Sequence, residues 1–166
     1  ISIVTFPADN TDGRTVGHGL GVAPKMVVTK GRADQTAWLV YNHVAGAGEY
    51  MAWSSTVAGT ANTSVWGNTA PTSSVFSVGN LTSGYGNGGA NDVVAYCFAD
   101  VEGYQKIGSY NGNAGKNTFI YTGFRPQFFM AKNTTTANGN WVVFDDVRDT
   151  DNPIEKELWW NITDQE

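Results

Sequence analysis

The sequence predicts an all-β fold, an antiparallel β-sandwich of jelly-roll-like form, with a concanavalin-like arrangement as one version of it. Charged residues make up only 15% of the 166 residues, while aromatic residues reach 13% and glycine occurs 20 times. This balance suits short strands joined by many turns better than it suits helices. Short hydrophobic runs also recur roughly every ten residues, which is the spacing of strands in a sandwich or barrel.

The first part of the chain contains six runs that predict strands, because each is β-branched or aromatic and is bounded by turn residues. In chain order they are SIVTF, KMVVTK, AWLVYNHV, EYMAWSS, SVFSVG and DVVAYCFADV. The segment DNTDG after the first run predicts a tight turn, since Asp, Asn and Gly favour reversals. The glycine-rich segment Ser83 to Asp92 predicts a hairpin loop.

The second part contains four further runs that predict strands: KIGSY, NTFIYTG, QFFMAK and NWVVFDDV. The segment TTTANGN, residues 134–140, predicts the loop of a hairpin. A single helical turn is predicted at NPIEKELWW, where Pro153 suits the first position of a helix.

One phrase occurs twice in the chain. The phrase that contains Gly21 and Pro24 and ends in Lys30 returns at an offset of 102 residues as Gly123, Pro126 and Lys132. WLVYNHV then aligns with WVVFDDV, and EYMAW with ELWWN, whereas SVFSVG and DVVAYCFADV have no second counterpart. The sequence therefore predicts an internal repeat of about 102 residues, with a complete unit over 1–104 and a partial unit over 105–166. Alternatively, the partial unit completes one single sandwich over 1–166.

The repeated phrase is interpreted as a folding element. Its glycine supplies a turn or bulge, and its proline stands where a strand begins and no ladder donor is needed. The lysines that close it are expected at the solvated rim of the sheet.

Five linked phrases carry a resemblance to a known group of proteins: HGLGVAPKMVVTK, WLVYNHV, NTAPTSSVFSVG, VVAYCFADVEGYQKIGSYNGN and FIYTGFRPQFFMAKN. Together they resemble a repeat-bearing β domain of tailed, often marine, bacteriophages that occurs in virion and predicted tail-fibre proteins. The resemblance covers nearly the whole chain. It implies a virion structural protein of the extracellular phage particle, above all a tail-fibre or tail-appendage module that contributes to host-surface recognition.

The resemblance also implies the partners. They are other virion proteins and further copies of the chain in a homo-oligomer such as a trimer. A host-surface glycan is expected separately, because six tryptophans are many for this length and sugars stack on exposed indole faces. Because the group is not defined by catalytic residues, no enzymatic activity, catalytic residue or cofactor is expected. The alternative is a capsid decoration or connector protein with purely structural contacts, and a polysaccharide-degrading tailspike enzyme ranks third.

The net charge and the hydropathy of the chain exclude two classes of partner, nucleic acid and membrane. The formal net charge of −5 gives no basic footprint, so neither nucleic acid nor an anionic membrane is an expected partner. No window is apolar enough for insertion into a membrane.

Because the sequence begins at Ile1 rather than Met, a processed product or a piece of a longer protein is expected. Cys97 lies in an apolar run and is expected to be a buried, inert thiol.

Tryptophan supplies the candidate binding residues. Trp38 and Trp141 occupy matching positions of the repeat and are expected to fill equivalent core slots. Trp66 and the pair Trp159 and Trp160 are the candidates for a ligand or subunit interface, since one of two adjacent strand residues must face away from a two-layer core.

The acidic segment DDVRDTDNP is a weak candidate for calcium, through Asp145, Asp149 and Asp151. It lacks the glycine and terminal glutamate of an EF-hand, and Arg148 supplies an internal counter-charge, so no metal site is favoured. A paired-carboxylate glycosidase site at Asp145 and Asp146, or at Glu155 and Glu157, is less favoured still. His18, in VGHGLG, is interpreted as stabilising a turn through a hydrogen bond rather than as a general base.

Overall fold

The computed structural model describes residues 1–33, 35–80, 87, 91–113, 118–151 and 153–163. These residues form an all-β structure in which no helix occurs and the strand ladders are antiparallel. In chain order the strands are β1 (Ser2–Pro7), β2 (Arg14–Gly17), β3 (Met26–Gly31), β4 (Leu39–Asn42), β5 (Glu49–Ala52), β6 (Thr60–Ala61), β7 (Val75–Val78), β8 (Asp92–Phe98), β9 (Phe128–Lys132), β10 (Trp141–Asp145) and β11 (Leu158–Trp159). The prediction of an all-β, antiparallel protein is therefore confirmed.

The strands form three sheets. The largest has six strands in the order β1-β8-β3-β4-β5-β6, while β2 and β7 form a two-stranded sheet and β9 to β11 form a three-stranded sheet in the order β11-β10-β9. Strand β8 lies inside the large sheet and is apolar on both sides, as interior strands with two covered faces are. On one side it buries Val93, Ala95 and Cys97, and on the other it half-buries Val94, Tyr96 and Phe98.

The side of the large sheet that we call the front face is covered by the β2–β7 sheet. Val27 and Leu39 of the large sheet are 0% and 1% exposed and join one cluster with Phe76 of β7. The ring of Phe76 meets that of Phe6 edge-on, with centroids 6.1 Å apart. This front cluster contains Phe6, Val16, Val27, Leu39, Tyr41, Ala47, Val65, Trp66, Phe76, Val78, Val93, Ala95 and Cys97.

The opposite side, the back face, is covered by the three-stranded sheet. Trp141 of β10 forms a second buried cluster with Val28, Val40 and Met51 of the large sheet. Its indole Nε1 donates a hydrogen bond of 2.9 Å to the carbonyl of Ala52. Residues on both sides of the predicted boundary at 104/105 thus share this back cluster.

Two three-stranded meanders pair in the same register. We call β3–β4–β5 the first meander and β9–β10–β11 the second. Opposed pairs of the first meander have counterparts in the second at an offset of 102 on its first strand and 103 on its second: Met26–Asn42 with Phe128–Asp145, Val27–Tyr41 with Phe129–Phe144, and Val28–Val40 with Met130–Val143. The main chain continues the match, since Trp53 N donates to Trp38 O and Trp160 N donates to Trp141 O.

The third strands of the meanders align one residue away from the predicted alignment of EYMAW with ELWWN. Met51 lies opposite Val40 and Leu158 lies opposite Val143, so Met51 corresponds to Leu158. Trp53 therefore corresponds to Trp160, and Ala52 to Trp159.

Several predicted elements are wrong. KIGSY and the described residues 118–123 of NTFIYTG are not strands, because no neighbouring strand pairs with them. In place of a helical turn after Pro153, the chain forms the short strand β11. Strands β2 and β6 were not predicted. The predicted hairpin loop Ser83 to Asp92 lies outside the described residues except for Asn87, Asn91 and Asp92, whereas residues 134–140 do form the loop between β9 and β10.

Candidate interaction surface

The second meander has one side chain layer that faces away from the rest of the molecule. Met130 and Trp141 point into the back cluster, and side chains alternate along a strand, so their neighbours point outward. The rings of Phe129 and Phe144 stack on this outer face with centroids 6.4 Å apart and planes inclined by 29°. We call the following half-buried residues the outer face: Phe129, Ala131, Val142, Phe144 and Trp159.

The corresponding layer of the first meander is fully covered. Val27, Leu39 and Tyr41, the counterparts of Phe129, Val142 and Phe144, are 0%, 1% and 3% exposed. The β2–β7 sheet lies on them, and Trp66 meets Tyr41 edge-on with ring centroids 5.8 Å apart. Among the described residues, no strand pair covers the outer face in the same way. The outer face is thus an apolar sheet layer without the cover that its counterpart has.

The segment that leads into β9 adds further exposed apolar surface. Phe119 is 88% exposed and Tyr121 is 81% exposed. Together with Phe124 and Pro126 they line a shallow depression. Contiguous exposed aromatic surface of this kind marks interaction sites on proteins.

The predicted interface residue Trp66 lies in the core, so its expected surface position is wrong. It is 2% exposed because its ring fills the front cluster against Tyr41. The pair Trp159 and Trp160 is divided between the two sides of the second meander. Trp159 is half-buried on the outer face, and Trp160 is 50% exposed with its ring 5.6 Å from that of Trp53.

The tryptophans of the back face form a connected group. The ring of Trp53 lies 6.1 Å from Trp38, 6.3 Å from Trp141 and 5.6 Å from Trp160. Trp141 is 4% exposed and anchors the group, whereas Trp160 ends it at the surface. The predicted core roles of Trp38 and Trp141 are confirmed by their packing in the back cluster.

The acidic segment is held by its own backbone. Both oxygens of Asp149 accept N–H bonds, from Glu155 at 2.8 Å and from Asp151 and Lys156 at 3.1 Å. These donors, Glu155 first, lower the pKa of Asp149 below its ordinary value of 3.8. Asp145 accepts from the N–H of Arg148 at 2.8 Å and from its guanidinium at 2.6 Å, which likewise lowers its pKa.

The oxygens proposed for calcium are therefore engaged by N–H donors, except at the exposed Asp151. Within the described ranges, no three carboxylate, imidazole or thiol groups are arranged to hold a metal ion. The segment is built as a self-capped turn that leads into β11.

His18 and Cys97 are both buried, and their surroundings are those of residues that support the fold. The Nδ1 atom of His18 accepts the N–H of Leu20 at 3.2 Å, so Nε2 carries the proton and donates to the carbonyl of Thr72 at 3.1 Å. This confirms the turn-stabilising hydrogen bond.

Cys97 is 0% exposed, and burial raises the pKa of its thiol to about 12. The predicted buried thiol is confirmed.

Sequence reasoning missed Phe129, Val142 and Phe144 as surface residues. The sequence did contain an indication that these residues are incompletely covered. SVFSVG becomes β7, which covers the first meander, and DVVAYCFADV becomes β8, which lies beside it, but neither run has a counterpart in the second part of the chain. No helix in the described part of the chain has the length and hydrophobicity that a membrane span requires.

Comparison with known proteins identifies one family. The family model described as domain of unknown function (DUF7483) matches residues 1–166, and the chain therefore belongs to this family. Searches of curated proteins and of solved structures gave no significant match.

Proposed function

We propose that this member of the family is an assembly module of a bacteriophage virion, above all of a tail fibre or tail appendage, located in the extracellular particle. Its role is to join subunits through apolar β surfaces and thereby to present the appendage to the host. The link to the virion rests on the residue resemblance described above. The assembly role rests on the geometry of the second meander.

The single observation that carries the assembly role is the contrast between the two meanders. Tyr41 is 3% exposed under Trp66, whereas its counterpart Phe144 is half-buried and shares the outer face with Phe129. An apolar sheet layer that is left open is a contact surface for another protein. Other copies of the chain and other virion proteins are the partners that fit this role.

We also propose the finer architecture that underlies this role. The equal registers of the two meanders and the recurrence of the Gly21 phrase support an internal repeat of about 102 residues. The packing of sheets on both sides of the large sheet supports a β-sandwich of jelly-roll-like or concanavalin-like form. In this proposal the second unit is partial and lacks the strands that cover the first.

The assembly role is tested by self-association of the wild-type chain and of a variant with Phe129→Ser and Phe144→Ser. The matched control is Val22→Ser combined with Val101→Ser, two residues that are 53% and 48% exposed and lie outside both meanders. Sedimentation velocity from low micromolar to millimolar concentration is the measurement. We expect the wild type and the control to associate and the outer-face variant to remain monomeric. A wild type that stays monomeric throughout, or a variant that associates equally well, would overturn the assembly role.

A second candidate function is recognition of a host-surface glycan. The observation that favours it is Trp160, which is 50% exposed and backed by the ring of Trp53, because sugars stack on such indole faces. The test is a glycan array with the wild type, with Trp160→Ala, and with Tyr104→Ala, an aromatic residue outside the tryptophan group that is 77% exposed. Loss of a signal in Trp160→Ala alone supports recognition. No wild-type signal, or equal signals in all three proteins, counts against it.

The acidic segment supplies no basis for a catalytic proposal. The carboxylate oxygens of Asp145 and Asp149 accept hydrogen bonds from N–H donors of their own turn. We propose a module that acts by contact, as the resemblance to a group not defined by catalytic residues implies.

A further inference from the structure

Strand β9 ends its sheet with an unpaired edge. The sheet order is β11-β10-β9, so one side of β9 faces β10 and the other faces no described strand. Natural edge strands are usually blunted by charges, by proline or by a bulge. The residues Phe128 to Ala131 contain none of these, and the only charge on the strand is Lys132 at its end.

The direction of each backbone group on β9 follows from one hydrogen bond. Asp146 N donates to Gln127 O at 3.1 Å, so the carbonyl of Gln127 points toward β10 and the N–H of Phe128 points away from it. Because the direction alternates along an antiparallel strand, the free N–H and C=O groups belong to every second residue. These residues are Phe128, Met130 and Lys132.

The first meander shows what occupies the equivalent edge. On β3, Met26, Val28 and Lys30 correspond to the three outward-directed residues of β9, and β8 lies beside them. Their partners on β8 are Phe98, Tyr96 and Val94. The edge of β3 is therefore filled by an antiparallel strand whose two sides are both apolar. The same edge of β9 has the same form, but no strand of the described residues lies beside it.

We propose that the edge of β9 accepts an antiparallel strand with the residue pattern of β8, donated by a neighbouring polypeptide of the assembly. The register is the one that β8 adopts on β3, so that the donated counterparts of Phe98, Tyr96 and Val94 pair with Phe128, Met130 and Lys132. The inference rests on the proposed assembly role, adds the edge of β9 to the outer face as a contact surface, and names the partner of this edge. The mode is β-strand addition, in which main-chain hydrogen bonds supply affinity and alternate side chains supply specificity.

Charge supports the choice of occupant. In the proposed register the acidic residues at the two ends of a β8-type strand, Asp92 and Asp100, arrive near Lys132 and Arg125 respectively. Asp100 arrives opposite Pro126, beside Arg125, whose side chain is 86% exposed and lies 3.9 Å from Oδ2 of Asp146. Asp92 arrives two residues beyond Lys132, whose ammonium donates to the carbonyls of Thr56 and Gly139. The ammonium of Lys132 is therefore already engaged, and the charge attraction acts at the Asp100 end of the strand, where Arg125 is exposed.

The test uses the intact chain and a synthetic peptide of residues 91–100, with Cys97→Ala to prevent disulfide exchange. The probe pair are two peptides that differ only in the position of one N-methyl group. In β8, Phe98 O accepts from Lys25 N, so the backbone groups of Phe98 point toward β3. Because the direction alternates along the strand, the N–H of Tyr96 also points toward β3, whereas the N–H of Ala95 points away from it. In the peptide, the N–H copied from Tyr96 would therefore face β9. We expect N-methylation at the Tyr96 position to weaken binding by about tenfold or more, and N-methylation at the Ala95 position to change it by less than about threefold.

Two protein variants complete the experiment. Phe128→Pro removes one outward N–H at the start of the strand, where proline is tolerated, and Phe128→Ala keeps that N–H while removing the ring. We expect Phe128→Pro to lose about tenfold in peptide affinity and Phe128→Ala to lose much less. In amide spectra of the wild type, the shifts are expected at Phe128, Met130 and Lys132. Circular dichroism verifies that both variants fold.

Four outcomes would overturn the proposed addition of a β8-type strand to β9. No peptide binding, binding insensitive to the N-methyl position, or shifts confined to other strands would overturn it. A chain that self-associates through β9 paired with β9, so that the peptide cannot compete, would overturn it as well. In that last case the assembly role would stand while the proposed occupant would fall, so failure of the inference and failure of the proposed function are distinguishable.

Discussion

Trp141 joins the second meander to the large sheet through one polar atom as well as through its ring. Its side chain is 4% exposed, and its Nε1 donates to Ala52 O at 2.9 Å. Sequence reasoning placed this residue in a core because it matches Trp38 in the repeated phrase. It did not reveal that the core lies between two sheets, since the partner carbonyl belongs to a strand far away in the chain.

Replacing Trp141 by Phe removes the buried hydrogen bond and part of the ring volume. We expect the free energy of unfolding to fall by about 2 kcal/mol, because Ala52 O is left without its donor and a small cavity opens. The control is Trp160→Phe at the 50% exposed end of the same aromatic group, with an expected loss below about 0.5 kcal/mol. Urea unfolding monitored by circular dichroism measures both. Equal losses in the two variants would contradict the anchoring role of Trp141.

Asp149 makes the second meander sensitive to acid. Hydrogen bonds from the N–H groups of Glu155, Asp151 and Lys156 hold its pKa below the ordinary value of 3.8. A lowered pKa in the folded state means that the stabilisation is complete above pH 3.8 and is lost as the pH falls through the folded-state pKa. In Asp149→Asn this titration is absent.

We therefore expect Asp149→Asn to melt below the wild type at neutral pH, and the difference in Tm to shrink as the pH falls below 3.8. Thermal melts of both proteins across this range provide the measurement. A difference that stays constant with pH, or that grows on acidification, would show that the ionised carboxylate does not stabilise the turn.

At the scale of elements, the sequence predicts strands well where both the alternation and the partner are local. KMVVTK, QFFMAK and NWVVFDDV became β3, β9 and β10 because neighbouring runs pair with them. NTFIYTG has equal β propensity, but none of the described strands pairs with its residues 118–123, and propensity without a partner does not make a strand. Trp66 was misplaced for a related reason, since its burial depends on Tyr41 and the β2–β7 sheet rather than on its own neighbours.

The end of β7 offers a sharp test of packing between elements. A Cβ atom built at Gly79 would lie 1.8 Å from the carbonyl oxygen of Ser64, and Gly79 N donates to Val65 O at 2.8 Å. Because the obstruction is backbone, Gly79→Ala must displace the 62–68 loop, at an expected cost of about 3 kcal/mol in the free energy of unfolding. Gly108→Ala, where nothing lies within 4 Å, is the control and should change it by less than about 0.5 kcal/mol. A Gly79→Ala protein as stable as the control would contradict this close approach.

At the scale of the whole molecule, the two meanders differ in cover and should differ in stability. Val27, Val28, Thr29 and Gly31 of β3 are buried, whereas no residue of β9 is fully buried. Strands with less cover open at lower free energy, even when they share a buried cluster with the rest of the protein. The back cluster couples the second meander to the large sheet through Trp141, but the open outer face and the unpaired β9 edge weaken it.

Native-state hydrogen exchange tests this ordering. We expect the amides of Phe129 and Ala131, which face β10, to exchange through a partial opening of lower free energy than the amides of β3 and β8. The outward amides of Phe128, Met130 and Lys132 should exchange fastest in the free chain. If all protected amides of β3, β8 and β9 share one opening free energy, the molecule unfolds as a single unit over 1–166 and the weaker second meander is refuted. If the outward amides become protected when the β8-type peptide is added, the open edge is the place where assembly completes the second meander.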